Sequence, residues 1–237
     1  MADLDRLRES ALEANRALQR AGLVALTFGN ASAIDRAAGL MAIKPSGIPA
    51  TALTLDDIVV VALETGEVVA GRTRPSSDTP THLVLARAFP TTEGIIHTHS
   101  RAATAWAQAH RSIPCLGTTH ADHFHGAIPV TRSMTAGEIG GDFEAATGRV
   151  IVETFHEGPI NPMDVPGILV SDHGVFAWGP SPEAAVTNAI ALEMVAGIAI
   201  DTLALAGNPG PIAGELLERH HARKHGPNAT YGQGPAA

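Results

Sequence analysis

The run Gly94-Ile95-Ile96-His97-Thr98-His99-Ser100 places two histidines two residues apart behind a short apolar stretch. The apolar start reads as a buried strand. Alternate side chains on a strand leave on the same face, so His97 and His99 converge on one point. Ser100 reads as the cap of a helix over 101–109. Paired imidazoles at a strand end commonly hold a divalent metal. The spacing alone also allows two histidines that are satisfied separately, so the rest of the chain has to decide.

Helices and strands alternate around this stretch. Leu4, Leu7, Ala11, Leu12 and Leu18 recur at helical spacing over 4–21, and Gly22 ends the run. A strand is expected over 23–27, then a turn of small residues at Gly29-Asn30-Ala31-Ser32. Further strands are expected over 40–44 and 57–63, with a turn at Pro45-Ser46-Gly47 and a hairpin at 64–67 leading into Val68-Val69. Pro75-Ser76-Ser77-Asp78 precedes a helix over 79–89, and three successive cap-type residues are more than capping requires. Beyond the histidine strand, 114–129 reads as irregular, 135–146 as helix, 149–155 as strand, and 167–170 as a strand running into Ser171-Asp172-His173-Gly174. Ser181-Pro182-Glu183 starts a helix that Gly207 ends, and a last helix over 211–225 precedes a polar tail containing Tyr231. The expected architecture is a single α/β domain over 1–237, with a largely antiparallel central sheet flanked by helices.

Composition narrows the setting. The 237 residues are 45% hydrophobic, enough for a substantial core. One cysteine, Cys115, allows no internal disulfide. No run is expected to approach the length of a membrane span, and the acidic start is unlike a secretory signal. The expectation is a soluble cytoplasmic protein without a membrane partner. The net charge of −8 argues against a nucleic-acid partner. The basic residues concentrate at Arg219, Arg223 and Lys224.

Three groups of residues carry chemistry. His173 sits between a strand and a glycine; with His97 and His99 it would complete the three-histidine set with open positions that catalytic zinc favours. Asp78 could supply a fourth ligand or simply cap its helix. The small turns at Gly29-Asn30, Ser46-Gly47 and Ser76-Ser77 offer N–H groups and hydroxyls to an anion, with Lys44 nearby and a helix start at Ser76-Ser77. Neither common nucleotide-binding glycine loop is present. Asp122 is the only carboxylate of the polar stretch 118–123, and Tyr231 is the only tyrosine of the chain.

Together, Gly29-Asn30-Ala31-Ser32, Lys44-Pro45-Ser46-Gly47, Ser76-Ser77-Asp78-Thr79, His97-Thr98-His99-Ser100 and Asp172-His173-Gly174 come in the order used by the class II aldolase superfamily. Over nearly its full length the chain resembles one branch of it, the L-ribulose-5-phosphate 4-epimerases. Gly117-Thr118-Thr119-His120-Ala121-Asp122, Arg219 and the tail from His220 to Gln233 carry that narrower likeness. The resemblance implies a zinc ion, with manganese or another divalent ion as substitute, held by Asp78, His97, His99 and His173. It implies that Gly29, Asn30, Ser46, Gly47, Ser76 and Ser77, helped by Lys44, hold a sugar phosphate. It makes Asp122 and Tyr231 the acid/base pair. It implies a homotetramer with active sites at subunit interfaces, His220 and Arg223 reaching a neighbour's site. His123 and His125 depart from the family, standing where aromatic residues are more usual, as does Ser171-Asp172 in place of an Asn-Ser pair.

The implied chemistry is coherent. C4 of a ketopentose phosphate adjoins no carbonyl, so its proton cannot simply be removed. Breaking and re-forming C3–C4 inverts the centre, provided that the aldehyde fragment turns over between the two steps. A base and an acid on opposite sides of the C4 hydroxyl are then required. An aldolase on a related pentulose or hexulose phosphate needs only one of them. A metal-dependent hydrolase would also use paired histidines, with Asp122 activating water. A non-catalytic relative would be expected to lack the metal histidines, and all three are present.

Overall fold

The computed structural model describes residues 2–158, 160–225 and 229. Helix α1 (Ala2–Arg20) buries Leu7, Ala11, Leu12 and Leu18. It stops at Gly22, where Gly22 N donates to Gln19 O (3.0 Å) and Leu23 N to Leu18 O (3.0 Å), the paired closure of a left-handed helix end. The expected strand over 23–27 is absent. This segment is a non-strand connection in which Leu26 takes a positive φ of 54° and lies exposed.

Among the described residues, seven strands form one sheet in the order β4-β3-β2-β1-β5-β7-β6. They are β1 (Asn30–Asp35), β2 (Leu40–Ile43), β3 (Val59–Ala62), β4 (Val68–Ala70), β5 (Gly94–Thr98), β6 (Gly167–Leu169) and β7 (Val175–Gly179). Every neighbouring pair is antiparallel. The small residues 30–32, expected as a turn, begin β1. Their size serves packing, because α1 lies against this strand. Asn15 of α1 donates from Nδ2 to Ala31 O (3.0 Å) and accepts Ala31 N on Oδ1 (2.9 Å), before the β1–β2 register begins at Ser32↔Ile43. Strand β7 is an element that the sequence reading lacks. All five of its residues are buried, so Val175-Phe176-Ala177-Trp178-Gly179 shows no polar alternation to mark it.

Side chains sort to two faces with the period of two expected of strands. Met41, Ile43, Val59, Val61, Ile95, Phe176 and Trp178 join the larger core, beneath α2 (Thr79–Ala88), α3 (Arg101–Gln108), α6 (Phe143–Glu157) and part of α7 (Pro182–Ala206). Ala33, Ala42, Val60, Ile96 and Ala177 face α1 and the first turns of α7. Short helices α4 (Thr118–Ala121) and α5 (Ala136–Gly140), and α8 (Gly214–His225), complete the fold.

Three further expectations are corrected. Residues 149–155 belong to α6, and the expected helix over 135–146 is split between α5 and α6. The β-branched run Val150-Ile151-Val152 suggested a strand. Ala146, Thr147, Val150, Ile151 and Phe155 instead bury one helical face, and Asp142 Oδ1 accepts Ala145 N (3.3 Å) at the start. Tertiary packing overrides local preference here. The expectation that no apolar run approaches a membrane span also fails. By length and composition the 25-residue α7 is sufficient, although one side of it packs on β5, β7 and α3.

Candidate active site

His97 lies on β5 in mid-sheet, directly between Asn30 of β1 and Phe176 of β7. Its ring stacks on Phe176 at 4.4 Å between centroids. Its Nδ1 donates to Val175 O (3.0 Å), which leaves Nε2 as a bare lone pair in the neutral ring. Burial keeps that ring neutral, pushing its pKa from 6.5 down to about 3. His99 follows β5, and its Nε2 is 3.1 Å from that of His97. His173, in the turn between β6 and β7, closes a near-equilateral triangle, with centroids 4.9 Å from both other rings. The three ligand nitrogens lie within 4.8 Å of one another. Burial also lowers the pKa values of His99 and His173.

These residues fit a divalent cation. Two ring nitrogens 3.1 Å apart, one of them held as an acceptor, need a proton or a cation between them. His173 Nδ1 is buried without a hydrogen-bond partner among the described residues. Three neutral imidazoles are a suitable donor set for zinc. Asp78 stands at the head of α2 and caps nothing with its side chain. Its Oδ2 is 4.0 Å from His97 Nε2 and accepts Asn30 Nδ2 at 2.6 Å. Burial would raise the Asp78 pKa. The His97 and His82 imidazoles and the Asn30 amide outweigh it, so the carboxyl stays below its ordinary value.

The expected anion-binding turns come together beside this group. Asn30 Nδ2 also donates to Ser76 Oγ (3.1 Å), and Ser76 N donates to Lys44 O (3.0 Å). Ser46 N donates to Arg74 O (3.0 Å), and Pro45 bridges Pro75 in antiparallel fashion. Segments 44–47 and 74–78 are therefore zipped together and tied to β1. Lys44 is buried, its Nζ donating to Thr27 O and Pro45 O (both 3.3 Å); burial lowers its pKa while the Asp78 charge resists. Ser46, Gly47 and Ser77 are exposed at the rim. Gly29 is required by close approach. Its φ is +77°, and a Cβ there would sit 2.5 Å from Val24 Cγ1 and 3.0 Å from His97 O.

Asp122 follows α4 and is gripped by α8. Its carboxylate accepts Arg223 Nη2 (2.7 Å) and Nε (3.1 Å), and His220 Nδ1 (3.0 Å), with Lys224 Nζ at 3.9 Å. Burial would raise its pKa, but the bonds from Arg223 and His220 bring it down, so the group is ionised near neutrality. Thus His220 and Arg223, expected to reach a neighbour's site, bind Asp122 of their own chain. Tyr231 lies outside the described residues.

Sequence reasoning missed several supports. His82, one turn after Asp78, is fully buried with Nδ1 2.8 Å from Ser32 Oγ, and the i, i+4 spacing could have flagged it. Phe28 lies with its ring 5.7 Å from that of His99. Ser100 occupies the N-cap of α3, but its side chain accepts no backbone N–H. Glu193 of α7 does so instead, taking Ala102 N (2.8 Å) and Ala103 N (2.9 Å) on its two oxygens, and no local pattern could reveal that.

The chain is similar to several known proteins. Residues 9–200 match the family described as the class II aldolase and adducin N-terminal domain. Over 232 residues the chain is 51% identical to the L-ribulose-5-phosphate 4-epimerase UlaF of Salmonella paratyphi A, covering 97% of this chain and 100% of that one. It is equally similar to the enzyme of that name from Salmonella typhi. Among solved structures it is similar to an L-fuculose 1-phosphate aldolase, with a TM-score of 0.77 at 25% identity over 92% of this chain and 95% of the other. YgbL of Escherichia coli shares the fold, with a TM-score of 0.71 at 22% identity over 91% and 98% of the two chains.

Proposed function

Because the chain belongs to the class II aldolase and adducin N-terminal domain family, we propose that it is a metal-dependent epimerase interconverting L-ribulose 5-phosphate and D-xylulose 5-phosphate. The observation that carries the proposal is the meeting of His97, His99 and His173 beside Asp78 and the zipped turns. Those four side chains would hold zinc or a similar divalent ion. When bound, the ion supplies Lewis-acid stabilisation of the charge left as C3–C4 opens.

The chain's own groups do the remainder. The turns at Gly29-Asn30, Ser46-Gly47 and Ser76-Ser77, with the exposed Ser46 and Ser77 hydroxyls at their rim and Lys44 behind them, hold the phosphate and keep the aldehyde fragment in place while it turns over. Asp122, ionised by its Arg223 and His220 partners, takes the C4 hydroxyl proton on one face. Tyr231 is its counterpart on the other, returning a proton to the C4 oxygen after re-addition. The site is shared between subunits of a cytoplasmic homotetramer. Support comes from Asp122, held against α8 while the triad sits in mid-sheet, and from the exposed apolar residues Ile190, Met194 and Ile198 on α7.

The test is a coupled assay for D-xylulose 5-phosphate with L-ribulose 5-phosphate supplied. Steady epimerisation without free aldehyde is expected. Accumulation of glycolaldehyde phosphate would make the chain an aldolase. Tyr231→Phe is expected to lower epimerisation by roughly 10²-fold or more while the metal stays bound; full activity would remove Tyr231 from the mechanism.

A further inference from the structure

Among the described residues, three non-glycine residues hold positive φ: Leu26, His110 and Asp172. Two of these three are bonded to each other, His110 Nε2 donating to Asp172 Oδ1 at 2.6 Å. His110 follows the C-cap of α3, Ala109, at the position where a left-handed residue ends a helix and glycine is the usual choice. Its φ of 53° is uncommon outside glycine, although histidine and aspartate take it more readily than most residues.

The surroundings are specific. The amides of His110 (3.1 Å) and Asp172 (3.4 Å) both point at Ala107 O. Helix α3 begins two residues after His99, and Asp172 immediately precedes His173. His173 N donates to Val170 O (3.0 Å) and Val170 N to Gly174 O (2.8 Å), so the turn carrying the third imidazole is short and closed. The far end of the helix that follows one candidate ligand is therefore fastened, through a hydrogen-bonded pair of left-handed residues, to the turn that bears another.

We propose that His110 and Asp172 are positioning residues whose hydrogen bond aims His173 at His97 and His99 and so sets the affinity of the triad for a divalent cation. The proposal rests on reading the triad as a metal site. The pair does not touch the ion or the substrate. It acts by limiting the orientations open to the 170–174 turn, as groups behind a metal ligand commonly do.

The experiment uses the full chain stripped of metal and titrated with Zn2+ against a competing chelator, alongside thermal unfolding of the metal-free protein. His110→Gly and Asp172→Gly each remove the bond while leaving a residue that accepts left-handed backbone. Each is expected to weaken Zn2+ binding by at most about fivefold, in line with an exposed polar pair. The double variant is expected to bind no more weakly than either single one, because both remove the same interaction. The metal-free Tm is expected not to fall. Asp172→Asn, which keeps an oxygen acceptor, is expected to recover most of the affinity. Unchanged affinity in the single variants, losses that multiply in the double one, or a metal-free Tm that falls in step with affinity would overturn the proposal. Absence of Zn2+ uptake by the unaltered chain would instead overturn the metal reading itself, and this inference with it.

Discussion

At the residue scale, several residues of the candidate site were legible because their patterns are local. The His-x-His spacing on a strand, a histidine before a glycine and small polar turns all announce themselves through short-range rules. Their joining was not legible. Asn30 reaches Ser76 and Asp78, 46 and 48 positions away, only because segment 74–78 is zipped to 44–47, at the end of β2, and β2 lies beside β1. His120 permits a test independent of metal. It is buried, donates from Nε2 to Gly126 O (2.7 Å), and burial lowers its pKa from 6.5 to about 4. The unfolded chain takes up this proton near 6.5 and the folded chain only near 4. The stabilisation is thus complete above the unfolded value and is lost as pH falls through the interval. Urea unfolding of the metal-free chain is expected to show His120→Gln losing about 2 kcal/mol less than the unaltered chain between about pH 7 and about pH 5. Equal losses would mean that His120 is not buried in its neutral form.

At the element scale, the sequence revealed those elements whose ends carry caps or turns and obscured those defined only by burial. Ser181-Pro182 marked α7, and Gly22 marked the end of α1. Strand β7 and the small-residue start of β1 were hidden because a strand covered on both faces has no alternation to read. The β-branched stretch of α6 was misleading for the opposite reason: its period is visible only once α2 is known to cover it. Gly148 marks that contact. A Cβ there would lie 2.7 Å from Val84 Cβ and 2.9 Å from Val84 Cγ1, in the seam between α6 and α2. Gly148→Ala adds helix propensity, yet is expected to lower stability by about 1–2 kcal/mol through overpacking, measured by thermal unfolding. A more stable variant would show that the seam is looser than described.

At the scale of the whole molecule, the antiparallel sheet with helices on both faces followed from the alternation of elements. The strand order did not, because β1 pairs with both its sequence neighbour and the distant β5. Among the described residues, the outer face of α7 is a conspicuous exposed apolar surface. Ile190, Met194 and Ile198 stand four residues apart on one stripe and are 41%, 45% and 47% exposed. If subunits share the active site across such surfaces, Met194→Glu combined with Ile198→Glu is expected to yield a smaller particle by light scattering and a lower turnover. Unchanged mass and turnover would leave α7 outside the assembly.

The central claim is that three imidazoles, one on β5, one just after it and one in the β6–β7 turn, hold one cation on which sugar-phosphate turnover depends. Its most direct test is turnover of L-ribulose 5-phosphate by the metal-stripped chain as Zn2+ is added back in measured portions. The account predicts activity that rises from near zero and levels off at about one equivalent per chain, with His97→Ala showing neither tight uptake nor recovery. Full activity in the stripped protein, or tight stoichiometric uptake by His97→Ala, would contradict it.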